Sequence, residues 1–171
     1  FYGAANATLV IAGDVDPQQV FTKVNHYFGD IASGPALNKQ ERWIAKRHDT
    51  RRELMFDDVP QTRLTRAWNT PPFGDEENLA LQLVASVLAQ GKNSRLYQRL
   101  VYQEQLATSV VAAQQGFEIA GMFEIEVYLK QDVDIEQIES ILTEEVELLI
   151  KKGVSRKELK RVKTTVMARE I

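Results

Sequence analysis

The two histidines are the side chains of this sequence that could most readily bind a metal ion, and the sequence contains no cysteine. A zinc site in a protein needs three or four ligands that converge on the metal. His26 has no histidine or glutamate four residues away to complete a helical pair of ligands, and His48 lies in the basic stretch from Lys46 to Arg52. We therefore predict that both are surface or half-buried side chains and that the chain supplies no metal ligand. A site built on the two histidines is the weaker alternative.

The other arrangements that would indicate catalysis are also missing from the sequence. It contains neither an H-E-x-x-H nor an H-x-x-E-H motif, no G-x-S-x-G segment and no glycine-rich phosphate-binding motif. The acids Asp57 and Asp58, and likewise Glu144 and Glu145, are adjacent in sequence. Adjacent side chains point apart on a strand or a helix, so both pairs are predicted to be solvated surface. We predict no catalytic residue in this chain, which is expected to be inactive by itself.

Length and composition indicate one globular domain. The chain has 171 residues, a net charge of −3 and 44% hydrophobic residues, enough for a sizeable core. Acids and bases are interspersed, which argues against a nucleic-acid partner. Asp49 and Glu53 offset the basic stretch, which is predicted to be a solvated loop. No apolar run approaches the roughly 18 residues that a membrane span requires.

The first half of the chain predicts three strands and one helix. The apolar run Thr8–Ala12 fits a strand buried on both faces. Asp16 then caps a helix with Pro17 at its first position, and Gly29 ends that helix. A hairpin is predicted with strands at Leu54–Asp57 and Thr62–Trp68.

In the second half, Asp75 caps a helix that Gly91 ends in a left-handed conformation, and Ser94 opens a short helix. Two further strands are predicted at Thr108–Gln114 and Met122–Leu129. The second of these alternates strictly between apolar and polar residues, as in a strand with one buried and one solvated face.

Two helices complete the predicted fold. Asp134 caps a long helix that ends at Gly153, and Ser155 with Glu158 forms a capping box for the last helix. Together these elements predict an α+β two-layer sandwich, with a mixed, mostly antiparallel sheet and paired helices on one face. Residues 1–171 are predicted to form a single domain, truncated at both ends from a larger chain.

Two places in this predicted fold could contact a substrate. Ser94, Arg95 and Tyr97 follow a glycine-containing turn, which could lie on the wall of a substrate chamber. Trp68 could be an exposed aromatic residue on a sheet edge that binds a peptide. Helix capping and core packing are the simpler interpretations of the same residues.

Four segments resemble the pitrilysin/insulinase family of zinc metallopeptidases, which includes mitochondrial processing peptidase. They cover nearly the whole chain in the family's order: Asn6–Pro17, Gly91–Tyr97, Gln105–Val110 and Gly153–Leu159. The resemblance identifies the chain as the non-catalytic domain that follows the zinc domain. It implies two homologous α+β domains in each half of the enzyme and two halves that close around an unfolded peptide.

The resemblance also implies where the chemistry lies. In this family zinc is bound by an H-x-x-E-H helix and a distal glutamate in the first domain, so zinc is expected upstream of this chain and no cofactor within it. The opposite half often supplies an arginine and, seven residues later, a tyrosine that grip the substrate. Val101 and Thr108 occupy those positions, and neither residue type matches.

The resemblance therefore predicts a non-catalytic substrate-chamber domain of a bacterial zinc metallopeptidase. Peptide is expected to add to a sheet edge near Trp68 or Thr108–Gln114 through main-chain hydrogen bonds. The expected partners are the adjacent catalytic domain, a homologous partner half and a second copy in a homodimer. The periplasm is the expected location, although the composition fits the cytoplasm equally. The alternative is a domain of a catalytically inactive homologue that serves as a structural or assembly subunit.

Overall fold

The computed structural model describes residues 3–35, 38 and 40–168. The chain divides into two compact units, Phe1–Glu41 and Arg42–Ile171, and each is described here by itself. The prediction of a single domain stays a prediction.

The first unit contains a 3₁₀ turn, Ala4–Asn6, and helix α1, Pro17–Phe28. The predicted cap of α1 is confirmed, because the Asp16 side chain accepts hydrogen bonds from the amides of Gln18 and Gln19.

The strand predicted at Thr8–Ala12 is wrong for this structure. Residues 7–12 have no regular secondary structure, and Leu9, Val10 and Ile11 are exposed. A strand needs a neighbouring strand to satisfy its main-chain N–H and C=O groups. The described residues of the first unit contain no other strand, so the apolar run alone does not produce one.

The second unit carries the sheet and most of the helices. Its elements are β1 (Arg63–Thr70), α2 (Glu76–Ala89), a π-helix (Tyr97–Gln103), β2 (Ala107–Gly116), β3 (Gly121–Leu129), α3 (Ile135–Lys152) and α4 (Arg156–Met167). The three strands form one sheet in the order β1-β3-β2, and both pairings are antiparallel. The predicted α+β class is therefore confirmed.

Only the second strand of the predicted hairpin forms. Residues 51–60 are irregular, and Leu54, Met55 and Phe56 are highly exposed, Phe56 at 91%. Three consecutive apolar side chains cannot all point to one face of a strand. The strand after them, β1, takes its hydrogen-bonding partner from β3, which lies about 60 residues further along the chain.

The core lies on one face of the sheet. Phe123, Ile125, Val127 and Leu129 alternate along β3 and are all buried, as predicted. They pack with helix residues that are also buried: Ala85, Leu88, Leu96, Leu100, Ile138, Ile141 and Leu142. The intervening residues point to the opposite face of the sheet, called here the open face. By strand register its members are Arg63, Thr65, Ala67, Asn69, Ser109, Val111, Ala113, Gln115, Met122, Glu124, Glu126 and Tyr128.

The predicted helix ends in this unit are also confirmed. Asp75 and Asp134 accept hydrogen bonds from amides in the first turns of α2 and α3. Both bonds of the Ser155–Glu158 capping box form at the start of α4. Gly91, with φ +77°, lies just beyond α2 in the left-handed region that favours glycine.

Candidate functional site

Ser94 lies inside the turn that connects α2 to the π-helix. Its hydroxyl donates a hydrogen bond of 2.6 Å to the Gly91 carbonyl, and its amide donates to the same oxygen at 3.1 Å. The side chain has no exposed surface. In this chain the hydroxyl therefore stabilises the turn, and a contact between Ser94 and a substrate stays a prediction that needs the turn to open.

Arg95 binds the first turn of α4. Its guanidinium donates from Nε to Glu158 Oε1 at 2.6 Å and from Nη2 to Glu158 Oε2 at 3.0 Å, and Nη2 also donates to the Gly153 carbonyl at 2.9 Å. Glu158 accepts from the Ser155 amide as well. The hydrogen bond from Arg95, aided by those at Ser155 and opposed by burial, lowers the pKa of Glu158 to about 2.

This ion pair joins two of the sequence motifs. Residues 91–97 contribute Arg95, and residues 153–159 contribute Glu158 together with the Gly153 carbonyl. A second arginine strengthens the same junction, because Arg161 Nη1 donates to the Gln90 carbonyl at 2.9 Å. The contacts of Arg95 are therefore directed at the corner between α3 and α4, and its side chain is only 17% exposed.

Arg99 is the residue of this region that the sequence patterns missed. From the π-helix it forms ion pairs with Glu104, Glu144 and Glu145, at 3.0, 2.6 and 3.1 Å. These carboxylates, Glu144 first, raise the pKa of Arg99 above its ordinary value. The prediction that Glu144 and Glu145 are both solvated is wrong for Glu145, whose side chain is 12% exposed. No spacing signal links these residues, because Glu145 lies 46 positions beyond Arg99.

Tyr97 and Thr108 lie on either side of Arg99 and Glu104 in the sequence. Tyr97 is half-buried and packs against the core. Thr108 is exposed at a β-bulge, where the register of β2 against β3 shifts between Ala107 and Ser109. Its hydroxyl lies 3.2 Å from the Tyr128 carbonyl. It also lines a shallow, open depression together with Pro60, Gln61, Leu129, Lys130 and Gln131.

Trp68 lies on the other edge strand. In the β1–β3 register it is opposite Phe123, and the two ring centroids are 5.9 Å apart. Trp68 is 40% exposed, at the rim of the helix-covered face. Thr108 lies beside the far end of β3, where Ser109 is opposite Tyr128. The structure therefore places Trp68 and Thr108 on opposite edge strands and near opposite ends of the sheet.

The edge of β2 is the feature of this region best suited to bind another chain. Among the described residues β2 pairs only with β3, and its ten residues include no charge and no proline. Charged residues and prolines are the usual protection of an edge strand. The opposite edge strand, β1, carries two arginines, Arg63 and Arg66.

The main-chain groups that face this free edge follow from strand alternation. The Leu129 amide donates to Thr62, on the β1 side, and the Lys130 amide donates to Leu106, on the β2 side. Since N–H groups alternate along a strand, even-numbered residues of β3 bond to their partners in β2. Those partners are Ser109, Val111, Ala113 and Gln115. The N–H and C=O groups of Val110, Ala112 and Gln114 therefore point outward.

A zinc ion does not fit the described part of the chain. Residues 3–35, 38 and 40–168 contain no group of three or more histidine, cysteine, aspartate or glutamate side chains placed to hold a metal. His26 and His48 are both exposed and belong to different units. No step of metal chemistry is therefore assigned to these residues.

The element order and the four motifs define a domain of the zinc-peptidase class. The chain belongs to the peptidase M16 inactive-domain family, whose model matches residues 1–166. It is 26% identical over 164 residues to an uncharacterized zinc protease of Rickettsia felis, an alignment that covers 95% of this chain and 38% of that protein.

Two solved structures have the same fold. A protease from Helicobacter pylori matches with a TM-score of 0.68 at 20% identity, over 92% of this chain and 39% of the other. A peptidase M16 inactive domain from Pseudomonas fluorescens matches with a TM-score of 0.66 at 19% identity, over 91% and 37%. The chain thus spans less than two fifths of each of these proteins. Within its described ranges no helix is both long and apolar enough to cross a membrane.

Proposed function

We propose that this domain forms part of the substrate-chamber wall of a bacterial zinc metallopeptidase and holds extended polypeptide along the free edge of β2. Membership of the inactive-domain family supports a role beside a catalytic domain. The observation that carries the binding role is the edge itself. It has outward main-chain groups at Val110, Ala112 and Gln114, and no charged side chain or proline protects it.

An extended peptide would bind this edge as a fourth strand. Its own N–H and C=O groups would pair with those of β2, largely independently of its sequence, which suits a peptidase that accepts unfolded segments. Each such bond contributes about 0.5–1.5 kcal/mol net. The depression beside Thr108, at the end of β2, would accept one peptide side chain and is where sequence preference would arise.

Catalysis in this proposal belongs to the rest of the parent protein. Zinc and the residues that activate water would lie in the catalytic domain, and a homologous half would close the chamber from the other side. A periplasmic location is part of the same proposal, and fractionation of cells that express the full-length protein tests it.

Val101 and Thr108 stand where the family often has the substrate-gripping arginine and tyrosine. This departure fits a zinc-bearing chain whose partner half supplies that pair, and it fits a second candidate equally. The parent could be a catalytically inactive homologue that serves as a structural or assembly subunit. An intact H-x-x-E-H motif upstream and zinc-dependent cleavage by the full-length protein would support the enzyme. Loss of both would support the assembly subunit.

Peptide binding tests the proposal directly. A fluorescent extended peptide is titrated with the 171-residue chain and with Ala112→Pro, which removes an outward N–H without breaking a β2–β3 bond. The matched control is Ala67→Pro, because the Ala67 amide faces outward on the β1 edge by the same alternation. We expect Ala112→Pro to weaken binding at least tenfold and Ala67→Pro to leave it unchanged.

A second peptide, N-methylated at alternate residues, keeps its side chains but loses main-chain donors. Its binding should be as weak as that of the parent peptide to Ala112→Pro. Equal binding of the methylated and unmethylated peptides, or equal effects of the two proline variants, would refute the edge as the binding site.

A further inference from the structure

We infer that the free edge of β2 also pairs with the β2 edge of a second copy of this chain, so that two copies form one continuous six-stranded antiparallel sheet. This inference shares the β2 edge with the proposed function. It concerns a different partner and is tested separately.

Symmetry makes β2 suited to pairing with itself. Two identical strands that pair antiparallel are related by a two-fold axis, so the interface closes after two copies. The strand is regular between the bulge at Ala107/Ser109 and Gln115, and residue 112 is the midpoint of residues 109–115. A two-fold axis at Ala112 therefore uses the whole regular segment.

The main-chain groups match in this register. Ala112 faces its own copy, and Val110 faces Gln114 of the second copy on either side of the axis. These are the residues whose N–H and C=O groups point outward, so the three pairs would exchange six main-chain hydrogen bonds.

The side chains match as well. On the open face, Val111 would lie opposite Ala113 of the second copy, and Ser109 opposite Gln115. No two like charges meet anywhere along the segment. The β1 edge differs, because each copy would bring two arginines, Arg63 and Arg66, to the paired strands.

The predicted dimer is weak. Pairing of two strands with little contact beyond their edges buries a small interface, and small interfaces are typical of transient complexes. We expect a dissociation constant in the micromolar range, so that a peptide on the same edge can displace the second copy.

Oligomeric state is measured first, by light scattering and sedimentation of the 171-residue chain from 1 to 200 µM. In the dimer, the double variant Val111→Lys/Ala113→Lys would place a lysine opposite a lysine on both sides of the axis. Within one chain, the two lysines would lie beside Glu126 and Glu124 and could form ion pairs with them. The matched control is Thr65→Lys/Ala67→Lys on the open face of β1. We expect at least tenfold weaker dimerisation for the β2 variant and unchanged dimerisation for the control.

Cross-linking then tests the register, which is possible because the chain has no cysteine. Ala112→Cys would face its own copy at a Cα separation of about 5.5 Å, within disulfide range. Val111→Cys is the control, because Val111 is 49% exposed but would face Ala113 of the second copy. Disulfide formation should be at least tenfold faster for Ala112→Cys.

The outcomes separate this inference from the proposed function. A chain that stays monomeric at 200 µM, or a dimer unaffected by the β2 lysines, would overturn the dimer, and edge binding of peptide would still stand. A β2 dimer that peptide cannot displace would refute the peptide-binding proposal, and the inferred dimer would still stand. Faster cross-linking of Val111→Cys would refute the register and with it this pairing.

Discussion

Replacing Glu158 by glutamine should destabilise the chain through one defined interaction. Glutamine keeps a carbonyl oxygen for the Ser155 amide but loses the charge that binds Arg95. The pKa of Glu158 is lowered from 4.5 to about 2, and such a shift corresponds to at most ~3.5 kcal/mol. Because the two side chains keep 17% and 21% exposure, solvent screening reduces the expected loss to about 1–2 kcal/mol.

The pH dependence identifies the cause of that loss. A carboxylate whose pKa is lower in the folded state stabilises the fold above its unfolded pKa and loses this contribution as the pH falls through its folded pKa. For Glu158 the contribution is complete above about pH 5 and disappears toward pH 2. Urea unfolding at pH 7 and pH 3 should therefore show a difference between wild type and Glu158→Gln that falls by about half.

Glu136→Gln is the matched control, because Glu136 is an acid in the first turn of α3 with an exposed side chain. It should change the free energy of unfolding by less than about 0.5 kcal/mol. Equal losses for the two variants would mean that the helix dipole, and not Arg95, accounts for the effect. A loss for Glu158→Gln that is the same at pH 3 and pH 7 would refute the ion-pair reasoning.

Three further predictions concern the backbone and the π-helix. Gln105 has φ +54°, so Gln105→Gly should be more stable in urea than Gln105→Val by about 1–2 kcal/mol, and equal stabilities would argue against backbone strain. A Cβ on Gly121 would lie 2.5 Å from the Pro71 carbonyl oxygen, so Gly121→Ala should lower the melting temperature by about 4–8 °C. An unchanged melting temperature would show that the backbone shifts to relieve this contact. Arg99→Met leaves the half-buried Glu145 unpaired and should loosen the π-helix, whose Leu100 carbonyl accepts a hydrogen bond from the Leu106 amide. Deuterium exchange at the Leu106 amide should therefore be faster in Arg99→Met and intermediate in Arg99→Lys, and unchanged exchange in both variants would refute this prediction.

Helix ends and the central strand could be predicted from the sequence because their determinants are local. The caps at Asp16, Asp75 and Asp134 act on amides two or three residues away. The alternation along β3 is likewise complete within one segment. Interactions of this length leave a pattern in the sequence that does not depend on the rest of the fold.

The two wrong strand predictions share one physical cause. Thr8–Ala12 and Leu54–Asp57 have the composition of strands, but a strand exists only where another strand completes its hydrogen bonds. β1 forms because it pairs with β3. Apolar content alone cannot say which of several candidate segments will be paired.

The candidate site was predicted in part for the same reason. The motif around Ser94 and Arg95 was recognised, but the partner of Arg95 lies 63 positions away at Glu158. Arg99 was missed because its carboxylate partners on α3 are 45 and 46 positions distant. Tertiary ion pairs have no fixed spacing, so no local pattern reveals them.

By itself the sequence determined the α+β class, the positions of the helix caps and the motifs of the zinc-peptidase resemblance, because each depends on neighbours within a few residues. Only the tertiary structure decided that Arg95 is bound to α4 and that Trp68 and Thr108 lie on opposite strands. It also decided that β2 is an edge with its main-chain groups unpaired by any described strand. Strand order and ion pairing depend on which distant segments meet, and that is settled by how the helices cover one face of the sheet.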